Sequence, residues 1–209
     1  MRASKRALDL VLALGLSVVL AIPFSILLLV MVLKDGFPLF YLAERMKGIK
    51  QPFQLWKLRT MTVSATDSGV SGGDKVTRIT PLGQFIRRAR LDEVPQLWNV
   101  LKGDMSFVGP RPPLRAYVER FPELYAQVLK SPVGITGLAS LRYHAVEERL
   151  LAACQTAIET DRVYAKICVP AKARLDLIYQ KNWSFCLDLR LIWETGTRVL
   201  VKRFFKRRV

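Results

Sequence analysis

Two adjacent carboxylates follow a cluster of arginines near the middle of the chain. The segment reads Arg87-Arg88-Ala89-Arg90-Leu91-Asp92-Glu93. A carboxylate can attack phosphorus or hold a magnesium ion, and arginines can bind phosphate groups and offset the charge that develops on a transferred phosphoryl group. The pattern therefore indicates phosphate chemistry. A structural interpretation is also open, with Asp92 as a helix N-cap, Glu93 exposed in the first turn and the arginines on a solvated face.

Two further segments place cations where a phosphate group could be bound. Arg111 lies between Pro110 and Pro112, which restrict the loop and could hold the guanidinium group ready for a phosphate. Lys57 and Arg59 follow a predicted strand, at an end where binding groups often lie. The structural alternatives are a turn with a solvated arginine at Arg111 and an ordinary basic strand end at Lys57 and Arg59. None of these segments by itself is specific for phosphate binding.

The elements that must position these residues predict an α+β fold that is mainly helical. Residues 37–44 and 51–57 are rich in aromatic and aliphatic residues and are expected to form a small β-hairpin. Thr80-Pro81 is a strong helix start, with an N-cap followed by proline in the first turn. A second helix is expected to begin with Asp92 as its N-cap and to end before Gly103.

The rest of the chain is expected to be loop and helix. Residues 64–75 are rich in serine, glycine, threonine and aspartate, which predicts a mobile surface loop or an active-site lid. Helix is expected on both sides of Pro122 and over residues 146–181, with a break at Pro170. Residues 184–209 alternate apolar and basic side chains, which predicts an amphipathic helix on anionic headgroups or a surface helix with a solvated basic tail.

An apolar segment near the N-terminus predicts a membrane anchor. Residues Leu10 to Leu33 carry no charge, and a helix of this length can cross a bilayer. Pro23 lies near its middle and predicts a break or kink, because proline removes one backbone donor. Basic residues on both sides of the segment place both of its ends in the cytoplasm. We therefore expect residues 1–35 to form a re-entrant helix-break-helix, and residues 36–209 a catalytic domain on the cytoplasmic face, in preference to a simple crossing.

Charge and composition narrow the class of partner and of metal. The chain has 33 Lys and Arg against 17 Asp and Glu, a net charge of +16, which indicates phosphates, acidic lipids or nucleic acid as the partner. His144 is the only histidine, and the three cysteines form no C-x-x-C pair, which argues against a zinc site or a histidine-based triad. A metal here should be bound by oxygen atoms, which favours magnesium.

Taken together, these segments resemble the bacterial sugar transferases known as monotopic phosphoglycosyl transferases, over nearly the whole chain. The longest matching segment runs from Leu91 to Pro112. The other matching segments are Lys5-Arg6-x-x-Asp9, Pro23 within the apolar run, Lys57-x-Arg59-Thr60-Met61, Ile79 to Gly83, Gly134 to Ala139, and Asn182 to Leu189.

The resemblance implies an enzyme that uses Asp92 as the nucleophile and Glu93 as a metal-organising group or an acid-base partner, with both as ligands of Mg²⁺. A UDP-sugar would give its sugar-1-phosphate to polyprenyl (undecaprenyl) phosphate through a covalent aspartyl intermediate, with release of UMP. This would be the first membrane step of glycoconjugate or exopolysaccharide assembly, at the cytoplasmic face of the bacterial inner membrane, without a nucleic-acid partner. The cations expected to contact phosphate or nucleotide are Lys57, Arg59, Arg88 and Arg111.

Two other functions stay open at this point. A membrane-tethered basic protein that binds nucleic acid or acidic lipid without catalysis would have no use for a carboxylate pair beside magnesium. A metal-dependent glycosyltransferase that moves the sugar alone would release a nucleoside diphosphate in place of a monophosphate. The sequence identifies neither the sugar nor the nucleotide base, and it leaves both a monomer and a homo-oligomer open.

Overall fold

A computed structural model describes residues 3–62 and 77–205, with side chains described up to residue 198. The fold is mainly helical with small β-elements, as the sequence predicts. The α-helices are α1 (Ala3–Asp35), α2 (Pro81–Arg88), α3 (Gln96–Lys102), α4 (Arg115–Arg120), α5 (Pro122–Val128), α6 (Leu138–Ala152), α7 (Ala157–Val163), α8 (Val169–Lys181) and α9 (Phe185–Phe205). A 3₁₀ turn (Leu91–Glu93) precedes α3, and a π-helical turn (Tyr164–Cys168) joins α7 to α8. The loop predicted at 64–75 lies outside the described residues.

The predicted hairpin is confirmed. Strands β1 (Phe40–Gly48) and β2 (Gln51–Leu58) pair antiparallel, with Tyr41 opposite Lys57 and Arg45 opposite Phe53. Directly opposed residues share a face, and so do residues two apart along a strand. Lys57 and Arg45 therefore project from the same face of the hairpin.

A second, parallel pair of strands sets the start of the loop that carries Arg111. Strands β3 (Ser106–Val108) and β4 (Gly134–Thr136) run side by side, and the backbone at Gly109 and Gly134 comes very close. A Cβ atom at Gly109 would lie 2.0 Å from the carbonyl oxygen of Pro132, and one at Gly134 would lie 2.2 Å from the nitrogen of Gly109. Glycine is needed at both positions because no side chain fits there.

The N-terminal end of α1 is held in the core of the body. The buried ammonium of Lys5 pairs with the buried carboxylate of Asp188 in α9 at 2.7 Å, and not with Asp9 in the next turn of its own helix. Asp9 accepts hydrogen bonds from the hydroxyl of Ser106 and the backbone nitrogen of Phe107. This end of α1 is therefore tied to both α9 and β3.

The C-terminal end of α1 contacts the same body about 30 residues later. Met31 is fully buried against Leu58 and Ile86. The guanidinium of Arg59 donates hydrogen bonds to the carbonyls of Asp35, at the end of the helix, and of the residues that follow it. Both ends of α1 therefore pack on one body.

The face of α1 that points away from the body is apolar and exposed. The helix is long and apolar enough to cross a membrane by length and composition. Large side chains are left uncovered along it, at 56–77% exposure. They are Val11, Leu14, Val18, Val19, Ile22, Ile26, Leu29 and Leu33. Such a stripe needs a covering of low polarity, because exposed apolar patches of this size are rare on soluble proteins.

Three local predictions differ from the structure. Helix α1 continues through Pro23, since loss of one backbone donor leaves the flanking helical hydrogen bonds in place. Pro170 does not break a helix. It lies in the first turn of α8, where a backbone N–H donor is not needed for the helical hydrogen bonds. Asp92 is not an N-cap: it lies inside the 3₁₀ turn, and α3 begins only at Gln96.

Asp176 in α8 is a buried acid that should make stability depend on pH. Burial raises its pKa from 3.8 to about 7, and Lys172 only partly opposes this. The folded state therefore holds the proton more tightly than the unfolded state, so stability is highest at acidic pH and is lost as pH rises through about 7. We expect Asp176→Asn to raise the free energy of unfolding at pH 8 by about 1–3 kcal/mol. Thermal unfolding of parent and variant at pH 5 and pH 8 measures the difference.

The gain from Asp176→Asn should be clearly larger at pH 8 than at pH 5, because the parent carboxyl is mostly protonated at the lower pH. An equal gain at both values would mean that packing, and not ionisation, sets the effect.

Candidate active site

Glu93 lies at the centre of a cluster of cations. Its Oε1 atom is 3.0 Å from Nη2 of Arg111, 3.5 Å from Nη1 of Arg90 and 4.0 Å from Nζ of Lys57. Burial alone would raise the pKa of Glu93, but Arg111, Lys57 and Arg90 lower it to about 2. Glu93 is therefore an ionised carboxylate throughout the neutral range.

Asp92 has a different environment from its neighbour. Successive residues of a 3₁₀ turn point about 120° apart, so the two carboxylates face different directions. Burial and the nearby charge of Glu93 raise the pKa of Asp92, against the opposing effect of Lys57 and two arginines. Its Oδ1 atom is buried and accepts no hydrogen bond within the described part of the chain. A buried carboxylate oxygen without a donor is costly, and such groups are typical of sites that bind a ligand or an ion.

The backbone at Arg90 is strained. Its φ of 58° and ψ of 21° lie in the left-handed region, which costs a residue with a side chain roughly 1–2 kcal/mol. This turn directs the Arg90 guanidinium to Glu93, while its Nη2 atom lies 2.8 Å from Nε2 of His144 in α6. The only histidine of the chain therefore helps to hold an arginine beside the carboxylate pair.

The site carries more positive than negative charge. Burial and the nearby guanidinium of Arg111 lower the pKa of Lys57 from 10.5 to about 8. The same two causes lower the pKa of Arg45. Cations that are crowded together away from water become more stable when an anion binds among them. The electrostatics therefore favour a strongly anionic ligand, such as a diphosphate.

Backbone hydrogen bonds hold the loop of Arg111 in place. The nitrogen of Gly109 donates to the carbonyl of Thr136 at 2.8 Å, and the nitrogen of Gly134 donates to the carbonyl of Pro110 at 2.8 Å. The nitrogen of Met46 in β1 donates to the carbonyl of Pro113 at 3.0 Å. The loop is therefore fixed to β4 on one side and to the hairpin on the other.

One buried amide places the hairpin beside the carboxylates. Asn99 in α3 is fully buried, and its side chain accepts from the nitrogen of Trp56 and donates to the carbonyl of Gln54. Because α3 follows the 3₁₀ turn directly, this link sets the distance between Lys57 on β2 and the carboxylate pair.

A model of the family described as bacterial sugar transferase matches residues 1–202. The chain belongs to the bacterial sugar transferase family. This sugar transferase is therefore an enzyme, a phosphoglycosyl transferase, as predicted. A non-catalytic protein that only binds nucleic acid or acidic lipid does not fit this membership.

Similar proteins have related names. The chain is 36% identical to the uncharacterized sugar transferase EpsL of Bacillus subtilis, over 94% of this chain and 87% of that protein. It is 34% identical to the UDP-glucose:undecaprenyl-phosphate glucose-1-phosphate transferase of Caulobacter vibrioides, over 94% of this chain and 69% of that protein. It is 46% identical to a putative undecaprenyl-phosphate N-acetylgalactosaminyl 1-phosphate transferase of Bacillus subtilis, over 57% of this chain and 67% of that protein. Four longer relatives are matched over only 40–43% of their length, so this sugar transferase corresponds to a part of each.

The fold of this sugar transferase brings four of the six predicted site residues together. They are Asp92, Glu93, Lys57 and Arg111. Arg59 lies elsewhere, because its guanidinium caps the C-terminal carbonyls of α1. Arg88 is exposed on α2, where its Nη2 atom lies 3.5 Å from Oε1 of Gln84. A phosphate contact by either is a prediction that the geometry does not favour.

Three arginines that were not among the expected phosphate contacts act on the site. Arg87 and Arg90 act electrostatically on Asp92, and Arg45 acts on Lys57. The alternation of side chains along the hairpin could have indicated Arg45, since it shares a face with Lys57. The left-handed turn that redirects Arg90 has no signal in the sequence, because non-glycine residues rarely adopt it.

The residues of this sugar transferase fit the predicted magnesium ion. Within the described residues no group of three or more Asp, Glu, His or Cys side chains could hold a metal. Magnesium does not need such a cage, because it is often held by one or two carboxylates together with substrate phosphates and water. The unpaired Oδ1 atom of Asp92 is an oxygen of this kind, whereas Oε1 of Glu93 already pairs with Arg111, so metal binding by both carboxylates stays a prediction.

Proposed function

We propose that this sugar transferase moves a sugar-1-phosphate from a UDP-sugar to undecaprenyl phosphate, releasing UMP and forming the polyprenyl-diphospho-sugar. The printed names of its relatives describe this kind of donor and acceptor. The observation that carries the proposal is the buried, unpaired Oδ1 atom of Asp92 beside a carboxylate that three cations surround.

In the first step, a carboxylate oxygen of Asp92 attacks the sugar-bearing phosphorus of the donor. A bond forms between this oxygen and phosphorus, and the bond to the bridging oxygen of the diphosphate breaks. UMP leaves with the electron pair of that bond, and an acyl phosphate remains on Asp92. Burial and Glu93 raise the pKa of Asp92, which makes its carboxylate more basic, and the nearby cations oppose this rise.

In the second step, a phosphate oxygen of undecaprenyl phosphate attacks the same phosphorus. The acyl phosphate bond breaks, the carboxylate of Asp92 is restored, and the phospho-sugar is joined to the lipid through a diphosphate. Neither step changes an oxidation state, and neither requires Glu93 to give up a proton. This agrees with the low pKa of Glu93, which makes it a charged organising group and not an acid.

The cations and the magnesium ion have separate tasks in this proposal. Arg111, Arg90 and Lys57 surround Glu93 beside Asp92 and would offset the charge that develops on the transferred group. Asp92 and Glu93 would hold Mg²⁺, which when bound neutralises the diphosphate and stabilises the leaving phosphate.

We place the enzyme at the cytoplasmic face of the bacterial inner membrane, with α1 entering and leaving by that face. The contact of both ends of α1 with one body, and the exposed apolar stripe between them, support this arrangement. It also has a chemical reason, since the acceptor phosphate lies at the headgroup level and the nucleotide sugar comes from the cytosol. Neither of these arguments identifies the sugar that is transferred or the polymer that is built.

A cysteine at residue 2 and one at residue 205, introduced separately, should both react with a thiol label from the cytoplasmic side. The expectation follows from the positive charges on both sides of the apolar segment. Labelling in intact cells and in inverted vesicles, in a background without the native cysteines, measures the two orientations. Labelling of the two positions from opposite sides would contradict the re-entrant arrangement.

Purified enzyme with Mg²⁺, undecaprenyl phosphate and a panel of UDP-sugars should release UMP in amounts equal to the lipid-linked product. UMP is expected because the bond that breaks joins the sugar-bearing phosphorus to the bridging oxygen of the diphosphate. Nucleotide chromatography and mass spectrometry of the lipid measure both products. Release of UDP would support transfer of the sugar alone, and absence of any product with every UDP-sugar would contradict the proposed reaction.

A further inference from the structure

An apolar groove runs between α1 and α3. Its volume is about 210 Å³. Ser17, Leu20 and Phe24 line it from α1, and Pro95, Trp98 and Leu101 line it from the segment that begins α3.

The groove exists because the middle of α1 packs less closely than its ends. Ala13 and Met31 are fully buried on the inward side of the helix. Between them, Ser17, Leu20 and Phe24 recur at helical spacing but stay partly exposed. The small side chain of Ser17 leaves space against α3 that a larger residue would fill.

The groove starts next to the candidate active site. Val94 and Pro95 belong to its lining and directly follow the carboxylate pair, so this part of the groove lies within one helical turn of Asp92. On α1, Ser17 and Ala21 of the lining are next in sequence to Val18 and Ile22 of the exposed apolar stripe. Trp98 lies on the lining with 54% of its surface exposed, as is typical of tryptophan where water meets lipid.

We infer that this groove binds the isoprene units nearest to the phosphate of the polyprenyl acceptor. The inference rests on the proposed function, in which the acceptor phosphate must reach Asp92 while its chain stays in the bilayer. The first isoprene units then have to cross the protein between these two places. The groove offers an apolar path from the carboxylate pair to the lipid-facing stripe of α1, whereas the charged site itself would exclude a hydrocarbon chain.

Ser17→Phe tests the inference, because the ring should fill the groove. The expected result is an increase of at least about tenfold in KM for undecaprenyl phosphate, with KM for the UDP-sugar changed less than about twofold. Geranylgeranyl phosphate, which has only four isoprene units, should show an increase of similar size, since the groove contacts the first units only. Val18→Phe is the matched control: Val18 is next in sequence, 77% exposed on the outward face, and should keep both KM values.

Trp98→Ala provides a second test that does not depend on tight packing. Its side chain is largely exposed, so its truncation should leave the fold intact while removing one wall of the groove. We expect KM for either lipid to rise by about three- to tenfold, again with little change for the nucleotide sugar.

The outcomes separate this inference from the proposed function. If the parent enzyme releases UMP and forms lipid product, but Ser17→Phe and Trp98→Ala keep the parental KM for both lipids, the groove does not bind the acceptor and the proposed reaction stands. Equal effects of Ser17→Phe and Val18→Phe would also overturn the inference. If the parent forms no lipid product, the proposed function fails and the inference fails with it.

Discussion

Asp92→Asn is expected to lower kcat by at least about 10³-fold, since removal of a covalent nucleophile is among the most damaging changes in an enzyme. Asparagine has nearly the same size but cannot supply an ionised oxygen to attack phosphorus. The unfolding temperature should be unchanged or higher, because burial and Glu93 make the charged form of Asp92 unfavourable in the folded protein. UMP release and thermal unfolding, measured on the same preparation, test both expectations.

Asp161→Asn is the matched control for this change. Asp161 lies on α7, where its half-exposed side chain pairs with Arg120 at 3.0 Å, and its substitution should leave kcat within about twofold. In the parent enzyme, mass spectrometry of a reaction quenched without acceptor should find a phospho-sugar on the peptide that contains Asp92. A parental rate in Asp92→Asn would remove the nucleophile assignment. A phospho-sugar found only on another residue would do the same.

Arg111→Ala is expected to lower kcat/KM by about 10²–10³-fold, the usual cost of losing one donor at developing charge in an active site. Its guanidinium is 3.0 Å from Glu93 and belongs to a loop that three backbone hydrogen bonds fix in place. Without it, Glu93 would draw more strongly on Arg90 and Lys57, which would then bind the phosphates less well. Steady-state kinetics with the nucleotide sugar as the varied substrate measure the loss.

Two comparisons make the Arg111 experiment specific. Arg111→Lys should recover only part of the activity, since lysine keeps the charge but lacks the planar fork that binds two oxygens at once. Arg115→Ala, four residues further along, removes an exposed ion pair with Glu44 at 2.8 Å and should change kcat/KM less than twofold. Similar losses at both arginines would mean that net charge alone, and not the position of Arg111, supports the reaction.

Local signals in the sequence were enough to predict several elements. The hairpin follows from two β-rich segments around a short turn, and it is found at 40–48 and 51–58. The start of α2 follows from an N-cap and a proline, and the hydroxyl of Thr80 does accept from the nitrogen of Gly83 at 2.9 Å. In each case the signal and its structural effect lie within a few residues of one another.

The positions of the cations depend on contacts that are distant in sequence. Arg87 and Arg88 are neighbours, yet only Arg87 turns inward, where its Nε atom donates to the hydroxyl of Thr60 at 2.7 Å. Arg59 was expected to bind phosphate and instead caps α1, because the end of that helix comes to lie beside it. The sequence thus predicts the carboxylate pair and the kind of chemistry, while the choice among arginines requires the packing of α1, α2 and the hairpin.

The ion pair between Lys5 and Asp188 has a consequence for how the protein is made. The two residues are separated by 183 positions, and both are buried. A ribosome produces α1 before α9, so the ammonium of Lys5 cannot have this partner until Asp188 has been made. A buried charge without a partner is strongly unfavourable, so α1 should dock on the body only after α9 has emerged from the ribosome. Until then α1 should stay undocked from the body, and a nascent chain that stops before Asp188 should leave it so.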